Sequence, residues 1–355
     1  MRSILFRALV LVALAQLFAA GSPEDHVTFH VPAGTVLARH FESRKQISQD
    51  EVEMLLNGEP LPSGNDNGMA LIQSQGLEVV DEFTAVETLR TVSLKRSFEK
   101  IASSGEQTTK NPMDAGSQED TTRSRSELEG KTVVFQWEAA KERYVAHFEP
   151  EGPDVKLLSG LDLDLDFLSF LPPAGSVSAG DAWSLDVGAM ERLFLPGGNL
   201  SLKPEEAPDS AGDGAALSMF KIDPAEAFSG LDGDVEATYK GTREVDGVSC
   251  GVIAIEFKVH SARDLSDKLP RTVDDSGASS ELEVEHLKAF LALEGGGELI
   301  WDLAAGHARS FSLSARIKNQ MELLLKVTNN DKTMDILRKM RMSGTYEMSV
   351  AISKR

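Results

Sequence analysis

Cysteine is all but absent from this chain. Cys250 is the only one in 355 residues, so no disulfide can form within the molecule, and packing with strand pairing must hold the fold. Its setting, Val248-Ser249-Cys250-Gly251-Val252, reads as a small buried hydrophobe. Positive charge is also scarce: 36 Lys and Arg face 56 Asp and Glu, a formal charge of −20. That balance argues against nucleic acid or an anionic membrane surface as partner, since both need clustered cations. The plainer use of the acid excess is solubility. Past the first twenty residues no apolar run is long enough to span a bilayer as a helix. There is no Walker loop, and no G-x-G-x-x-G lies between a strand and a helix.

The first twenty residues have the layout of a cleavable export signal. Arg2 and Arg7 precede an apolar run from Ala8 to Leu17, and Ala19-Ala20-Gly21-Ser22 follows. We therefore expect residues 1–20 to be removed and the mature chain to be exported, to the periplasm or beyond the cell, with no transmembrane segment.

The dominant pattern is period-two alternation. Ile253, Ile255, Phe257 and Val259 alternate with Ala254, Glu256 and Lys258. Phe311, Leu313, Ala315 and Ile317 alternate with Ser and Arg, and Met342, Tyr346, Met348, Val350 and Ile352 share one parity. One wet and one dry face is the signature of antiparallel strands. Asp246-Gly247 between two such runs predicts a tight hairpin. Helices are expected at three places. Ser48-Gln49-Asp50-Glu51 fits a capping box ahead of 49–57; the other two are 157–171, bounded by Pro172-Pro173, and 187–195, ended by Pro196-Gly197-Gly198. Residues 103–130 are so poor in apolar side chains that they read as a disordered loop. Phe135-Gln136-Trp137-Glu138 and Ile300-Trp301-Asp302-Leu303 each open a similar strand–turn–strand stretch, an echo between the halves 26–150 and 151–355.

Each candidate for chemistry has a plainer reading. Gly247-Val248-Ser249-Cys250-Gly251 matches G-x-S-x-G, but Ser249 lies in a strand run and not in the strand-to-helix elbow the motif needs. Asp162, Asp164 and Asp166 are spaced like calcium ligands, yet Phe167 stands in the glycine slot and Pro173 in that of the bidentate glutamate. His26, His30, His147, His260, His286 and His307 are scattered, without ligand spacing. Asn199-Leu200-Ser201 is a formal glycosylation acceptor. Trp137, Trp183 and Trp301 fit either core packing or an apolar groove.

Two blocks carry a resemblance. Phe170-Leu171-Pro172 with Val177-Ser178-Ala179-Gly180-Asp181-Ala182-Trp183 is similar to an LP, then V-x-x-G-D-x-W, block. Gly297 to Gly306, with Ser310 and Leu313 beyond, is similar to G-x-L-x-W-D-L-x-x-G. Both resemble a family of uncharacterised exported bacterial proteins. The likeness implies bacterial export and long antiparallel strands, and supplies no catalytic residue.

The sequence thus predicts a β-rich α+β protein. Its long strands would form a half-barrel or two packed sheets under a few short helices, with the halves 26–150 and 151–355 packed as one body. The function expected is non-catalytic: binding or carrying a lipid or other apolar ligand in the cell envelope, with no cofactor, metal or nucleic acid. A hydrolase with an unfamiliar Asp, Glu and His site, or a scaffold with no small ligand, are the alternatives. No catalytic residue is assigned, and the ligand-binding residues are unknown.

Overall fold

The structure, a computed structural model, describes residues 24–61, 68–87, 90–110, 117–152, 154–205, 230–266, 272–273, 280–329 and 332–355. The expected export signal lies outside them. Seventeen strands are described: β1 (Asp25–His26), β2 (Val36–Leu56), β3 (Glu59–Pro60), β4 (Met69–Glu87), β5 (Arg90–Lys110), β6 (Ser117–Ser126), β7 (Thr132–Glu138), β8 (Arg143–Phe148), β9 (Ser176–Val177), β10 (Ala182–Ser184), β11 (Leu202–Pro204), β12 (Asp232–Val245), β13 (Val248–Asp264), β14 (Thr272–Val273), β15 (Ser280–Asp302), β16 (His307–Asn329) and β17 (Lys332–Lys354).

Fifteen of these make one sheet, ordered β10-β12-β13-β15-β16-β17-β2-β4-β5-β6-β11, with β7 and β8 beside β5, β14 beside β15 and β3 beside β2; β1 pairs with β9. Every pairing is antiparallel. The 23 residues of β16 span roughly 75 Å at about 3.3 Å per residue, far longer than an ordinary strand. Alternation dictates the faces: Phe311, Leu313, Ala315 and Ile317 are buried, while Ser312, Ser314 and Arg316 are exposed. Asp246 and Gly247 both take positive φ, 52° and 78°, the backbone of a two-residue hairpin turn.

This architecture overturns the α+β expectation. Among the described residues strands make up 70% and helices 7%, with a single α-helix, α1 (Gly188–Phe194). Residues 49–57 do not form a helix; β2 runs through them to Leu56. Val52, Met54 and Leu56 alternate as well as Val52, Leu55 and Leu56 repeat helically, and the alternating set pairs with Met340, Arg338 and Ile336 of β17. A bulge at Asp50, between the pairs Met342↔Gln49 and Arg341↔Glu51, resets the parity that keeps them on one face. Residues 157–171 form two 3-10 turns, Val155–Leu158 and Leu168–Phe170, and otherwise irregular chain. Nor is 103–130 without structure: β5 continues to Lys110, and β6 pairs with it from Ala102↔Arg125 to Lys110↔Ser117. Polar strands suit this place, because a single-layer sheet needs backbone pairing more than burial.

The core lies at one end, here called proximal, where β2 starts and β17 finishes. The chain between β8 and β11 folds back over one face of the sheet as a plug. Its Leu165, Phe167, Phe170, Met190, Leu193 and Phe194 are buried in the same cluster as Phe41, Phe311, Tyr346 and Met348 of the sheet. Phe167 stacks on Phe311 at 4.9 Å, and Phe194 meets Tyr346 edge-on at 5.1 Å. Each such side chain is worth about 1.5–3 kcal/mol of burial. The plugged face is called inner below.

Candidate functional site

Asp162, Asp164 and Asp166 belong to the plug, and arginines engage them. Arg96 of β5 grips Asp81 of β4 with two hydrogen bonds, Nε to Oδ1 at 2.7 Å and Nη2 to Oδ2 at 2.8 Å. It also donates to the carbonyl oxygens of Asp162 and Leu163, at 2.8 and 2.9 Å. Arg39 of β2 bridges Asp81 and Asp166. Two cations and two anions thus balance inside the core, the condition under which buried charge is tolerated. Burial works to lower the Arg39 pKa, but Asp166 and Asp81 outweigh it and hold it above the ordinary value.

The acids serve the local chain as well. Asp162 Oδ1 accepts from the Asp164 amide at 3.0 Å, and Asp164 Oδ1 from the Asp166 amide at 2.9 Å. Burial, with the Asp166 charge beside it, pushes Asp164 up to about 6. Phe167, in the slot where a calcium loop has glycine, takes the left-handed conformation at φ 57°. Its stacking in the core offsets the roughly 1–2 kcal/mol that this backbone costs. The calcium-like spacing is therefore the spacing of a clasp that docks the plug. Among the described residues no group of three His, Cys, Asp or Glu is placed to hold a metal.

The other sequence candidates are dispersed. Ser249 is exposed in β13, opposite Glu244, and the strand continues to Asp264 with no helix after it. Cys250 is buried on the outer face with Val252 and Ile300, and burial pushes its thiol pKa up. His307 is buried, its Nδ1 2.7 Å from the Ala308 carbonyl oxygen. His286 meets Glu322 at 3.1 Å, and His30 lies 3.2 Å from the carbonyl oxygen of Ala304. Asn199 Oδ1 accepts from the Ser201 amide at 2.9 Å, a turn contact. Trp301 is fully buried; Trp137 packs edge-on to Tyr144 under Arg90; Trp183 lies in β10, opposite Ala237.

No sequence motif marks the most distinctive surface, which is the distal half of the inner face. Strict alternation of buried and exposed residues runs from Phe311 to Lys318, and beyond it, apart from exposed Gln320 and buried Leu323, residues of both parities are half-buried to Thr328. There the sheet is a single layer. Its inner positions are apolar: Val52 and Met54 on β2, Met340 and Ile336 on β17, Met321 and Leu325 on β16. Met54, Ile336, Met321 and Leu325 are only half-buried. A small cluster of Leu265, Val284, Leu287 and Leu323 sits beside them.

At the border of plug and open sheet, cross-strand pairing aligns Gly295, Ala315, Tyr346, Lys45, Gln73 and Gly105 on the inner face. A Cβ on Gly295 would fall 2.1 Å from the carbonyl oxygen of Ser314, so the strands approach too closely there for any side chain. Lys45 has no ion-pair partner among the described residues, and burial alone lowers its pKa. Tyr346, directly opposite, is buried, and burial pushes its hydroxyl pKa up. Farther out Arg338, between Leu323 and Met54, has its Nε buried and unpartnered. Arg263 of β13 also occupies an inner position. In the distal half, the pairing assigns two carboxylates to inner positions among the described residues, Asp120 on the edge strand β6 and Glu59 on the short strand β3, opposite Leu56. The glutamates of the central strands point outward: Glu53 meets Lys339, Glu51 meets Arg341, and Glu285 meets Lys326.

The reverse face differs in chemistry. A groove of about 840 Å³ crosses it, lined by Ser74, Ser104, Ser312, Gly296, Glu42 and Glu347 among others. Serine, glycine and glutamate make it a wet surface.

No family model matches this chain, and no curated protein matches it. Among solved structures, the β domain of the Bordetella autotransporter BrkA is 8% identical, over 88% of this chain and 99% of that one, with a TM-score of 0.14. A mutant porin of Rh. blastica is 11% identical, over 90% of this chain and all of that one, with a TM-score of 0.13. These are weak similarities to outer-membrane β-barrel proteins, too low to assign a fold or an activity. No described helix is long and apolar enough to cross a membrane, a fact that does not bear on strands.

Proposed function

We propose that this chain is an exported, non-catalytic binding or carrier protein of the cell envelope, and that the distal inner face is where it holds a lipid or other apolar ligand. The observation that carries this reading is the half-buried row of Met54, Ile336, Met321 and Leu325 on a single-layer sheet. Apolar side chains left in water cost free energy that an apolar ligand would recover. Methionine suits such a face, since its flexible thioether adapts to chains of varied shape. Native mass spectrometry of protein purified without detergent tests the reading. A co-purifying apolar molecule is the expected result; no such mass, together with no binding of fatty-acid probes, rejects it.

A further inference from the structure

The apolar face is not electrically blank. In a chain of net charge −20, the central strands of the distal half place no described carboxylate on their inner face, yet the same face carries Lys45, Arg263 and Arg338. Unpaired charge is costly where water is scarce, and Lys45 has no acid partner among the described residues, so the row lacks a counter-charge. The row holding them is flanked by Ala315 on one side and by Gln73 and Gly105 on the other, so little side-chain volume competes for the space. Immediately distal lie Met342, Met340 and Val52. One acyl chain reaches about 15 Å, half the hydrocarbon thickness of a bilayer, which is four or five strand residues. That carries a chain from Lys45 to the level of Met342, four residues along β17 from Tyr346, with Met340 and Val52 the next inner positions beyond it.

We propose that the ligand is a single-chain anionic amphiphile, a free long-chain carboxylate. Its head group meets Lys45, opposite Tyr346, and its tail runs along Met342 towards Met340, Val52 and Met321. The inference rests on the carrier reading above and adds the sign of the head group. The scarcity of cations that argues against a whole anionic membrane surface does not apply to one local face whose central strands place no described acid there.

The test uses the full chain with cis-parinaric acid and its methyl ester, which share a fluorescent tail and differ in head-group charge. Tighter binding of the acid by about tenfold or more is expected, the worth of one charge-assisted hydrogen bond. Lys45→Met should reduce acid binding to the level of the ester and leave ester binding within about twofold; Lys45→Arg should keep the preference. Equal binding of acid and ester by the unaltered protein overturns the head-group inference and leaves the carrier reading standing. Loss of both ligands in Lys45→Met, with Lys45→Arg no better, also overturns it. Binding of neither ligand removes both readings. So does a dimer in sedimentation that binds neither, which would make a second copy of the chain the occupant.

Discussion

The two ends of the sheet are built from the same strands and solve the same problem differently. At the proximal end the inner face is covered by a plug of the chain itself, with Phe167 and Phe194 seated against Phe311 and Tyr346. At the distal end the same strands continue as one layer whose inner Met54, Met321, Leu325 and Ile336 stay half-buried. Alternation fixes the facing of each residue, but it does not fix what covers that face. Stability should therefore reside in the first half and ligand response in the second, a division open to direct test.

The largest effect is expected at the clasp. Arg96→Met would leave Asp81 with Arg39 as its remaining ion-pair partner and two plug carbonyls without their donor. We expect a loss of roughly 3–5 kcal/mol in chemical denaturation, with hydrogen exchange rising first in the proximal strands. Next comes packing. Phe167→Ala should cost about 3 kcal/mol or more, whereas Met321→Ala in the open half should cost about 1 kcal/mol or less. Similar losses in both halves would erase the contrast.

A pH dependence follows from Asp164. Its carboxyl is pushed from 3.8 to about 6 in the folded protein, so folding favours the protonated form. The stability it contributes is complete below about pH 4 and is lost as pH rises through about 6. The loss approaches roughly 3 kcal/mol as an upper bound. Asp164→Asn, which keeps the acceptor oxygen for the Asp166 amide, should flatten the stability profile between pH 4 and 7. An unchanged profile would show that the group is more solvated than its place under the plug implies. The smallest effect belongs to the distal outer face, where Glu53→Ala should move stability by less than about 1 kcal/mol, since its bridge to Lys339 joins two half-exposed side chains.

The strand pattern was legible because it is local. Ile253–Val259, Phe311–Ile317 and the Asp246–Gly247 turn carry their period and their φ requirement in a few residues. The helix at 188–194 was announced by the Pro196-Gly197-Gly198 stop, within a residue of its observed ends. Residues 49–57 misled because Ser48–Glu51 satisfies a capping box while Val52, Met54 and Leu56 also satisfy a strand; neighbours on β17, remote in sequence, decided between them. The polar run 103–130 reads as disordered when burial is the requirement for order, but pairing of β5 to β4 and β6 suffices. The Asp162–Asp166 spacing was visible, but its arginine partners come from β2 and β5. Lys45 and Arg338 left no sequence signal at all. Each is an ordinary cation by type, and only the register seats Lys45 opposite Tyr346 and Arg338 between Leu323 and Met54.

The pairing of β17 with β2 along nearly their whole length also bears on how the molecule can be assembled. β2 is among the first strands to be synthesised and β17 the last described, so β2 waits with a bare edge until almost everything else has been made. Contacts of such wide sequence separation form slowly, and an unguarded strand edge invites the wrong neighbour in the interval. A chain of this design gains from being kept unfolded, or from having that edge shielded, until β17 arrives.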